Sequence, residues 1–451
     1  MKIVKDKNTD EIKYNSHVLL FNTYMGSWVK LSQHAYEMAS SILNKNQDEA
    51  ITTLKQDYNI SDETANSFLQ FLLKNYFISK ETENIKKIHG TKTDAIRVKM
   101  CYFHITENCN FKCSYCSYDA NSTSKKEYST NQYKSLIRKL QLDGIEELVL
   151  SGGEPLLRKD LEELLKFSEG RFKSIGLVTN GSLIDEKKAE LLTKYVNKIQ
   201  ISIDSGIEKI NDATRGKGSF KRAIKGLKKL KSAGHKNILI SPTITKISLE
   251  NIESIVELAN EFDVYLELNF FTPYGRGIEN YDKLKINNED KVEALIRSWK
   301  KADELNYTRY NINTYYKKKS KISLSCGICK DQITVDANGD IYPCPLLMSD
   351  KFKIGNLFNE KSLNKVIEKS VISKQILTRN VNSIDECSAC EVRYFCKGGC
   401  MAYDYQQSGN LFEKGGDCSA IKNLYEELIL NTDSKRDLSL KLKDISSRVM
   451  R

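Results

Sequence analysis

Cys109, Cys113 and Cys116 stand in the run Cys-Asn-Phe-Lys-Cys-Ser-Tyr-Cys, with three residues and then two between the thiols. Thiolates at that spacing can hold three irons of a cubane 4Fe-4S cluster and leave the fourth iron without a protein ligand. An open iron is a place for a substrate or cofactor to coordinate, so the run points to chemistry rather than to electron storage alone. The spacing differs from four-ligand ferredoxin runs and from the C-x2-C pairs of zinc sites.

Something must position that loop. Downstream, Glu147-Leu-Val-Leu-Ser151 reads as a buried strand and runs into Gly152-Gly153-Glu154-Pro155. Glycines at a strand end let the backbone approach a ligand closely, and Glu154 offers a carboxylate to a cationic amine. Strand-and-turn patterns recur at residues 174–181 and 198–205, with further strands at 96–105, 237–241 and 265–271. Helical periodicity fills the gaps, as at 223–230 and 252–262. Six strands alternating with helices predict an α/β fold with a mostly parallel sheet and ligands at the carboxyl ends of the strands. Glu154, Asn180, Ser202 and Asp204 all fall at such ends. Cys101, outside every motif, sits in the first of these apolar strands and reads as a core residue.

Eight more cysteines lie between Cys326 and Cys418. Cys387-x2-Cys390-x5-Cys396-x3-Cys400, then seventeen residues to Cys418, is too regular for scattered structural thiols. Upstream, Cys329-x9-Gly339-x4-Cys344 brackets Asn338-Gly339 between apolar residues, a hairpin signal that puts Cys344 on the return strand. Iron–sulfur ligation and a zinc ribbon both suit C-x2-C pairs in loop-rich surroundings.

The three-cysteine run, the Gly-Gly-Glu-Pro segment and this second field together resemble the radical S-adenosylmethionine (SAM) enzymes with a SPASM extension. The resemblance implies a partial (β/α)6 barrel whose open iron chelates SAM and cleaves it reductively to a 5′-deoxyadenosyl radical. It assigns Gly152, Gly153 and Glu154 to the amino group of SAM, Asn180 and Ser202 to its ribose and methionine parts, and Arg215 to its carboxylate. An Arg suits that planar task. Tyr115 corresponds to an aromatic near the adenine, although core packing serves it equally well. Two auxiliary 4Fe-4S clusters follow from the SPASM pattern: the first on Cys326, Cys344 and Cys400 with Cys329 as a candidate fourth ligand, the second on Cys387, Cys390, Cys396 and Cys418. Either Cys326 or Cys329 satisfies the spacing to Gly339. If both bind, the cluster is closed; if one binds, an iron is free for a substrate thiolate.

The first 80 residues form their own unit. Residues 17–22 and 27–31 read as a strand pair around Gly26, followed by helical patterns at 35–43, 49–58 and 63–77. Such a winged-helix-like module resembles the PqqD-like element that captures leader peptides by β-augmentation, with an accessory cap as the plainer reading. The expected division is 1–80 peptide-recognition module, 81–94 linker, 95–310 radical SAM core, 311–430 SPASM domain and 431–451 helical tail. The 202–220 region and the Thr272-Pro-Tyr-Gly275-Arg276-Gly277 turn look most like thioether-forming sactipeptide maturases. That likeness implies hydrogen abstraction from a substrate carbon, closure of a Cys sulfur onto it, and a precursor peptide bound through its leader. A flavodoxin- or ferredoxin-type protein would supply the electron. Carbon–carbon crosslinking, epimerisation, decarboxylation and sulfatase formylglycine formation share the machinery, and a non-catalytic zinc adaptor is the alternative of another class. No acid–base pair is expected.

Charge narrows the partners. The formal net charge is +11, yet residues 1–90 hold eleven Lys and no Arg against eleven Asp plus Glu. The whole excess therefore lies in 91–451, without a basic stripe interleaved with aromatics, so nucleic acid is not expected. No eighteen-residue apolar run suggests a membrane span, and the opening Met-Lys-Ile-Val-Lys-Asp is unlike a signal peptide. Exposed clusters imply a reducing cytoplasm.

Overall fold

The computed structural model describes residues 1–14, 16–81, 98–121 and 127–431; residues 82–94 of the expected linker and 432–451 of the expected tail lie outside them. The chain divides into two units. One comprises Met1–Thr93 with the segments Lys317–Cys326 and Asn380–Gly398; the other comprises Asp94–Tyr316, Gly327–Arg379 and Gly399–Arg451.

In the first unit β1 (Ile3–Lys5) pairs antiparallel with β5 (Ile78–Lys80), and β2 (Thr9–Lys13), β3 (His17–Asn22) and β4 (Ser27–Ser32) form an antiparallel sheet in that order. Between β4 and β5 run α1 (Gln33–Ser41), α2 (Gln47–Tyr58) and α3 (Asp62–Lys74). Their starts are written locally: Ser32, Asn46 and Ser61 each accept a bond from the first turn, and Glu49 closes a capping box with Asn46. Ala50, Leu54, Ala65, Leu69 and Leu72 recur at helical spacing and are fully buried with Val18 and Ile42. The strand pair and three helices read from the sequence are present, with β2 as a third strand.

The second unit is built on one nine-stranded sheet, ordered β12-β10-β9-β8-β7-β6-β14-β15-β16. Its parallel part comprises β6 (Met100–His104), β7 (Glu147–Ser151), β8 (Ser174–Thr179), β9 (Lys198–Ile201), β10 (Ile238–Ile240) and β12 (Tyr265–Leu266). The crossover helices include α4 (Thr130–Leu142), α5 (Leu161–Ser168), α6 (Glu186–Tyr195), α7 (Glu208–Arg215), α8 (Ser219–Ser232), α9 (Lys246–Leu249) and α10 (Ile252–Glu261). Cys101 is fully buried in β6, as the strand pattern implies. These are the six strands and the partial barrel that the sequence predicts.

Two details differ. Residues 265–271 are not one strand: β12 ends at Leu266, and β13 (Asn269–Phe270) pairs instead with β11 (Thr243–Ile244) in a separate two-stranded sheet. The neighbouring strand carries Pro242, which has no amide hydrogen to continue the ladder, so both partners break there. The Asn-Gly hairpin is real, with β14 (Gln332–Val335) antiparallel to β15 (Asp340–Tyr342) and β16 (Gly355–Asn356) beyond it. Cys344, however, lies past the end of β15 rather than on it. Through the parallel β14–β6 pairing, this hairpin extends the barrel sheet itself. Among the described residues no helix is long and apolar enough to cross a membrane.

The turn of that hairpin is held by Asp336, whose Oδ1 accepts the amides of Asn338 and Asp340 at 2.8 Å each. Burial pushes its carboxyl up to about 6. The folded protein therefore binds this proton more tightly than the unfolded chain, and the stability it contributes is full below pH 4 and lost as pH rises through 6. Asp336→Asn, which keeps an acceptor at the turn, is expected to abolish a decline of about 2 kcal/mol between those values. Chemical denaturation of both proteins at pH 4, 5, 6 and 7 reads the difference.

Candidate functional site

The loop Cys109–Cys116 follows β6 at the carboxyl edge of the parallel sheet, where β7, β8 and β9 also deliver Gly152–Glu154, Asn180 and Ser202. The three thiols are free and half-buried. Asn121 grips the start of the loop from both sides, its Oδ1 accepting the Cys109 amide at 2.8 Å and its Nδ2 donating to the Cys109 carbonyl at 2.7 Å. The Ser114 amide donates to the Thr214 carbonyl on α7. Burial pushes the Cys113 thiol up to about 12, with Arg215 opposing, and raises Cys109 as well. Thiols so placed stay protonated until a metal displaces the proton.

The Gly152-Gly153 pair has a use that sequence reasoning assigned to a ligand. The Gly153 amide donates to the Thr106 carbonyl at 2.9 Å and the Glu154 amide to the Asn108 carbonyl at 2.7 Å, so this turn lies directly against the backbone leading into Cys109. Gly152 has φ +134°, and a Cβ on Gly153 would overlap the Asn108 carbonyl. The backbone approached here is the cysteine loop's own.

Glu154 is fully buried. Its Oε1 accepts from the Thr179 hydroxyl and Leu156 amide, and its Oε2 from the Asn180 amide at 2.8 Å. Burial nevertheless raises its pKa, and among the described residues no cation pairs with it. Asn180 donates to Asn110 at 2.9 Å and stands 4.0 Å from the Cys109 sulfur. Ser202 donates its amide to the Thr179 carbonyl.

Asp204, one turn beyond β9, is the hub. Its Oδ1 accepts from Arg215 at 2.8 Å and the Thr243 amide at 3.0 Å; its Oδ2 accepts from the Tyr115 hydroxyl at 2.5 Å and Thr214 at 3.0 Å. Tyr115 thus ties the cysteine loop to the strand end, and the Arg215 guanidinium lies 5.4 Å from its ring centroid. Arg215 is buried, yet its Nε has no partner. A buried, half-used guanidinium and a buried carboxylate without a cation are complementary to an amino acid's carboxylate and ammonium, so these residues fit the methionine end of SAM.

Sequence reasoning missed Arg276. It lies on the turn already singled out, but its task is visible only in three dimensions. Its Nε donates to the Cys113 carbonyl at 3.0 Å, and its Nη1 to the Ala120 carbonyl at 2.8 Å and to Asp119 at 2.6 Å. Its amide reaches the Cys116 carbonyl, and Asn280 donates to that of Ser114. Gly275, at φ +52°, brings this turn so close that a Cβ would overlap the Cys116 carbonyl.

The second cysteine field is divided between the units. In the first, Asp10 on β2 accepts Arg393 Nη2 and the Tyr394 hydroxyl, both at 2.6 Å. Phe21 packs on Tyr394 and Phe395, and Trp28 on Phe395. Residues 393–395 lie in the span between Cys390 and Cys396, so the N-terminal sheet buttresses that loop. Arg393 Nη1 also donates to the Cys390 carbonyl. In the second unit Cys329 is fully buried at φ +60°, a strained setting for a residue with a Cβ, and Cys344 is buried. Cys400 caps the helix Met401–Ser408, and Cys418 is exposed. Cys326 ends the segment belonging to the first unit and is exposed. Among the described residues no three His, Cys, Asp or Glu side chains converge on a single metal ion.

Residues 103–262 match the model of the radical SAM superfamily, and residues 326–391 that of SPASM, an iron-sulfur cluster-binding domain. The chain is a radical SAM/SPASM enzyme. It is 28% identical over 305 residues to the mycofactocin maturase MftC of Mycolicibacterium smegmatis, covering 66% of this chain and 77% of that protein. It is 30% identical over 211 residues to the sporulation killing factor maturation protein SkfB of Bacillus subtilis, covering 46% and 51%. The fold matches Streptococcus suis SuiB bound to precursor peptide SuiA with a TM-score of 0.58 at 19% identity, covering 92% of this chain and 99% of that one. The radical SAM/SPASM enzyme therefore uses SAM and 4Fe-4S clusters, auxiliary clusters included.

Two variants test how the loops are held. Arg276→Gln removes a charge-assisted clamp from three acceptors and is expected to cost about 2–4 kcal/mol, with iron retention by the Cys109–Cys116 loop lowered severalfold. Asp10→Ala leaves Arg393 and Tyr394 without their shared acceptor and is expected to cost about 1–3 kcal/mol while leaving SAM cleavage intact. Melting curves and iron content measured on anaerobically purified protein read both.

Proposed function

We propose that this enzyme matures a ribosomally made precursor peptide by closing an intramolecular Cys thioether. One observation carries the reading: a three-thiol loop with a methionine-complementary pair, Glu154 and Arg215, is joined in one chain to an N-terminal sheet whose outer strands β2 and β4 pair only with β3 among the described residues. An open strand edge of that kind accepts a leader peptide by β-augmentation. The maturase names of MftC and SkfB, and the precursor peptide bound to SuiB, support the same substrate class.

In this reading Cys109, Cys113 and Cys116 hold the SAM cluster. Glu154 and the Gly152-Gly153 backbone take the ammonium of SAM, Arg215 its carboxylate, and Asn180 and Ser202 its ribose and methionine parts. Tyr115 fixes the loop through Asp204. When bound, SAM and its cluster supply a carbon-centred radical that abstracts hydrogen from the peptide. The chain's contribution is placement and the exclusion of quenching solvent. Cys326, Cys329, Cys344 and Cys400 hold one auxiliary cluster; Cys387, Cys390, Cys396 and Cys418 hold the other. The buried, left-handed backbone of Cys329 supports its inclusion as a ligand. Clusters of this kind require a reducing compartment, in keeping with the cytoplasm.

Anaerobic incubation of the reconstituted enzyme with SAM, dithionite and a Cys-containing precursor is expected to yield 5′-deoxyadenosine. The peptide should lose two hydrogen atoms and one alkylatable thiol per crosslink. Loss of two hydrogens with every thiol still alkylatable would replace the thioether by a carbon–carbon bond, and loss of carbon dioxide would mean decarboxylation. Substituting Cys109, Cys113 and Cys116 together by Ala should abolish nucleoside formation; zinc in place of iron and no SAM cleavage would sink the proposal.

A further inference from the structure

The cysteine loop has an outer cover that neither the fold nor the proposed chemistry requires. Phe111, between the first two cysteines, is nearly buried, and its amide lies 3.4 Å from the Cys109 sulfur. The Arg222 guanidinium on α8 lies 4.7 Å from the Phe111 ring centroid, held there by bonds to the Gly218 and Lys217 carbonyls. Arg222 is exposed, and so are Lys112 beside Phe111, Lys217 just before α8, and Lys221 and Lys225 on it.

These charges are not neutralised locally. Only Lys221 has a carboxylate partner, Glu208 at 3.1 Å. The nearby Asp212 is turned inward onto Gly218, Ser219 and Phe220. Lys112, Lys217, Arg222 and Lys225 make no ion pair among the described residues. A lysine-rich helix is ordinarily a solvated face. What sets this one apart is that one of its cations, Arg222, lies over Phe111, whose amide is in direct contact with the Cys109 sulfur.

We infer that the exposed face formed by Lys112, Lys217, Lys221, Arg222 and Lys225 around Phe111 is the docking surface for an acidic one-electron donor protein of the flavodoxin or ferredoxin type. The inference rests on the assignment of Cys109, Cys113 and Cys116 to the SAM cluster. Docking here brings the donor's cofactor to the side of the cysteine loop that Phe111 and Arg222 cover. The step is an outer-sphere transfer: the donor is oxidised by one electron, the cluster is reduced by one, and no bond forms or breaks. Opposite charge on the two faces accelerates encounter and makes it sensitive to salt.

The test compares the reconstituted wild-type enzyme with Lys217→Glu/Lys225→Glu and with Lys369→Glu/Lys374→Glu. The second variant makes the same charge change at exposed lysines on the helices Leu363–Lys369 and Val371–Thr378. Binding of oxidised flavodoxin is measured by interferometry at two salt concentrations, and 5′-deoxyadenosine formation is followed with reduced flavodoxin or dithionite. The α8 variant should bind flavodoxin about tenfold or more weakly, with a flatter salt dependence and a matching rise in the KM for flavodoxin. Its dithionite-driven rate should stay within about twofold of wild type. Equal flavodoxin binding by all three proteins would overturn the inference. So would a parallel loss of both rates, which would mean a damaged site, or a loss of precursor-peptide binding with flavodoxin binding unchanged. A wild-type enzyme that binds flavodoxin through this face but cleaves no SAM with dithionite would leave the surface standing and remove the cluster assignment instead.

Discussion

The segment from Cys109 to Cys116 contains no helix and no strand, so the polar groups of its backbone have to be satisfied from outside. Everything else around the site answers that demand. The Cys113 carbonyl is taken by Arg276, that of Cys116 by the Arg276 amide, and that of Ser114 by Asn280. Amides are taken by Asn121 and by the Thr214 carbonyl. Two close backbone approaches hold the two ends of the loop, Gly153 against Asn108 just before Cys109 and Gly275 against Cys116, although they lie 37 and 159 residues after Cys116. A cluster site needs thiolates that stay in place when the metal is absent. Irregular backbone achieves this only by being bonded at nearly every polar group.

The second constraint is electrostatic. Asp204 and Arg215 are both buried, and a buried ion pair repays its desolvation only when the remaining donors and acceptors are satisfied. Asp204 meets that condition with four donors, which come from the loop Cys109–Cys116, α7 and the start of β11. Arg215 does not meet it, because its Nε is left over. Glu154 shows the mirror-image deficit, with three donors and, among the described residues, no cation. Both deficits belong to residues that follow strands of the parallel sheet, Glu154 after β7 and Arg215 on α7 after β9. Removing a partner from a buried charge costs more than the pair contributes.

Much of this was legible in the chain. Cysteine spacing is local, so the three-thiol loop and the regular second field could be read directly, and alternation of apolar strands with helical periodicity placed Glu154, Asn180, Ser202 and Asp204 at strand ends. What could not be read is what depends on distant contact. Arg276 shares no periodicity with Cys113, and nothing in the 272–277 turn announces that its guanidinium serves a loop 160 residues earlier. Gly152-Gly153 was recognisable as a close approach but not as an approach to residues 106–108. The break in 265–271 follows from Pro242 in another strand. Asp10 gave no signal at all, because its partners, Arg393 and Tyr394, lie at the other end of the chain.

That last contact changes how the N-terminal module should be regarded. A peptide-capturing unit is often pictured as an appendage, to be deleted without consequence for the catalytic core. Here Asp10, Phe21 and Trp28 make up one wall of the loop between Cys390 and Cys396, and Trp28 donates to the Ser320 carbonyl in the segment that ends at Cys326. The aromatic contacts alone are of a kind worth about 0.5–1.5 kcal/mol each beyond their burial. The same sheet, whose outer strands β2 and β4 pair only with β3 among the described residues, therefore also buttresses a cysteine loop. Because β2 carries Asp10, a disturbance of that strand reaches the loop between Cys390 and Cys396 directly, through Arg393 and Tyr394.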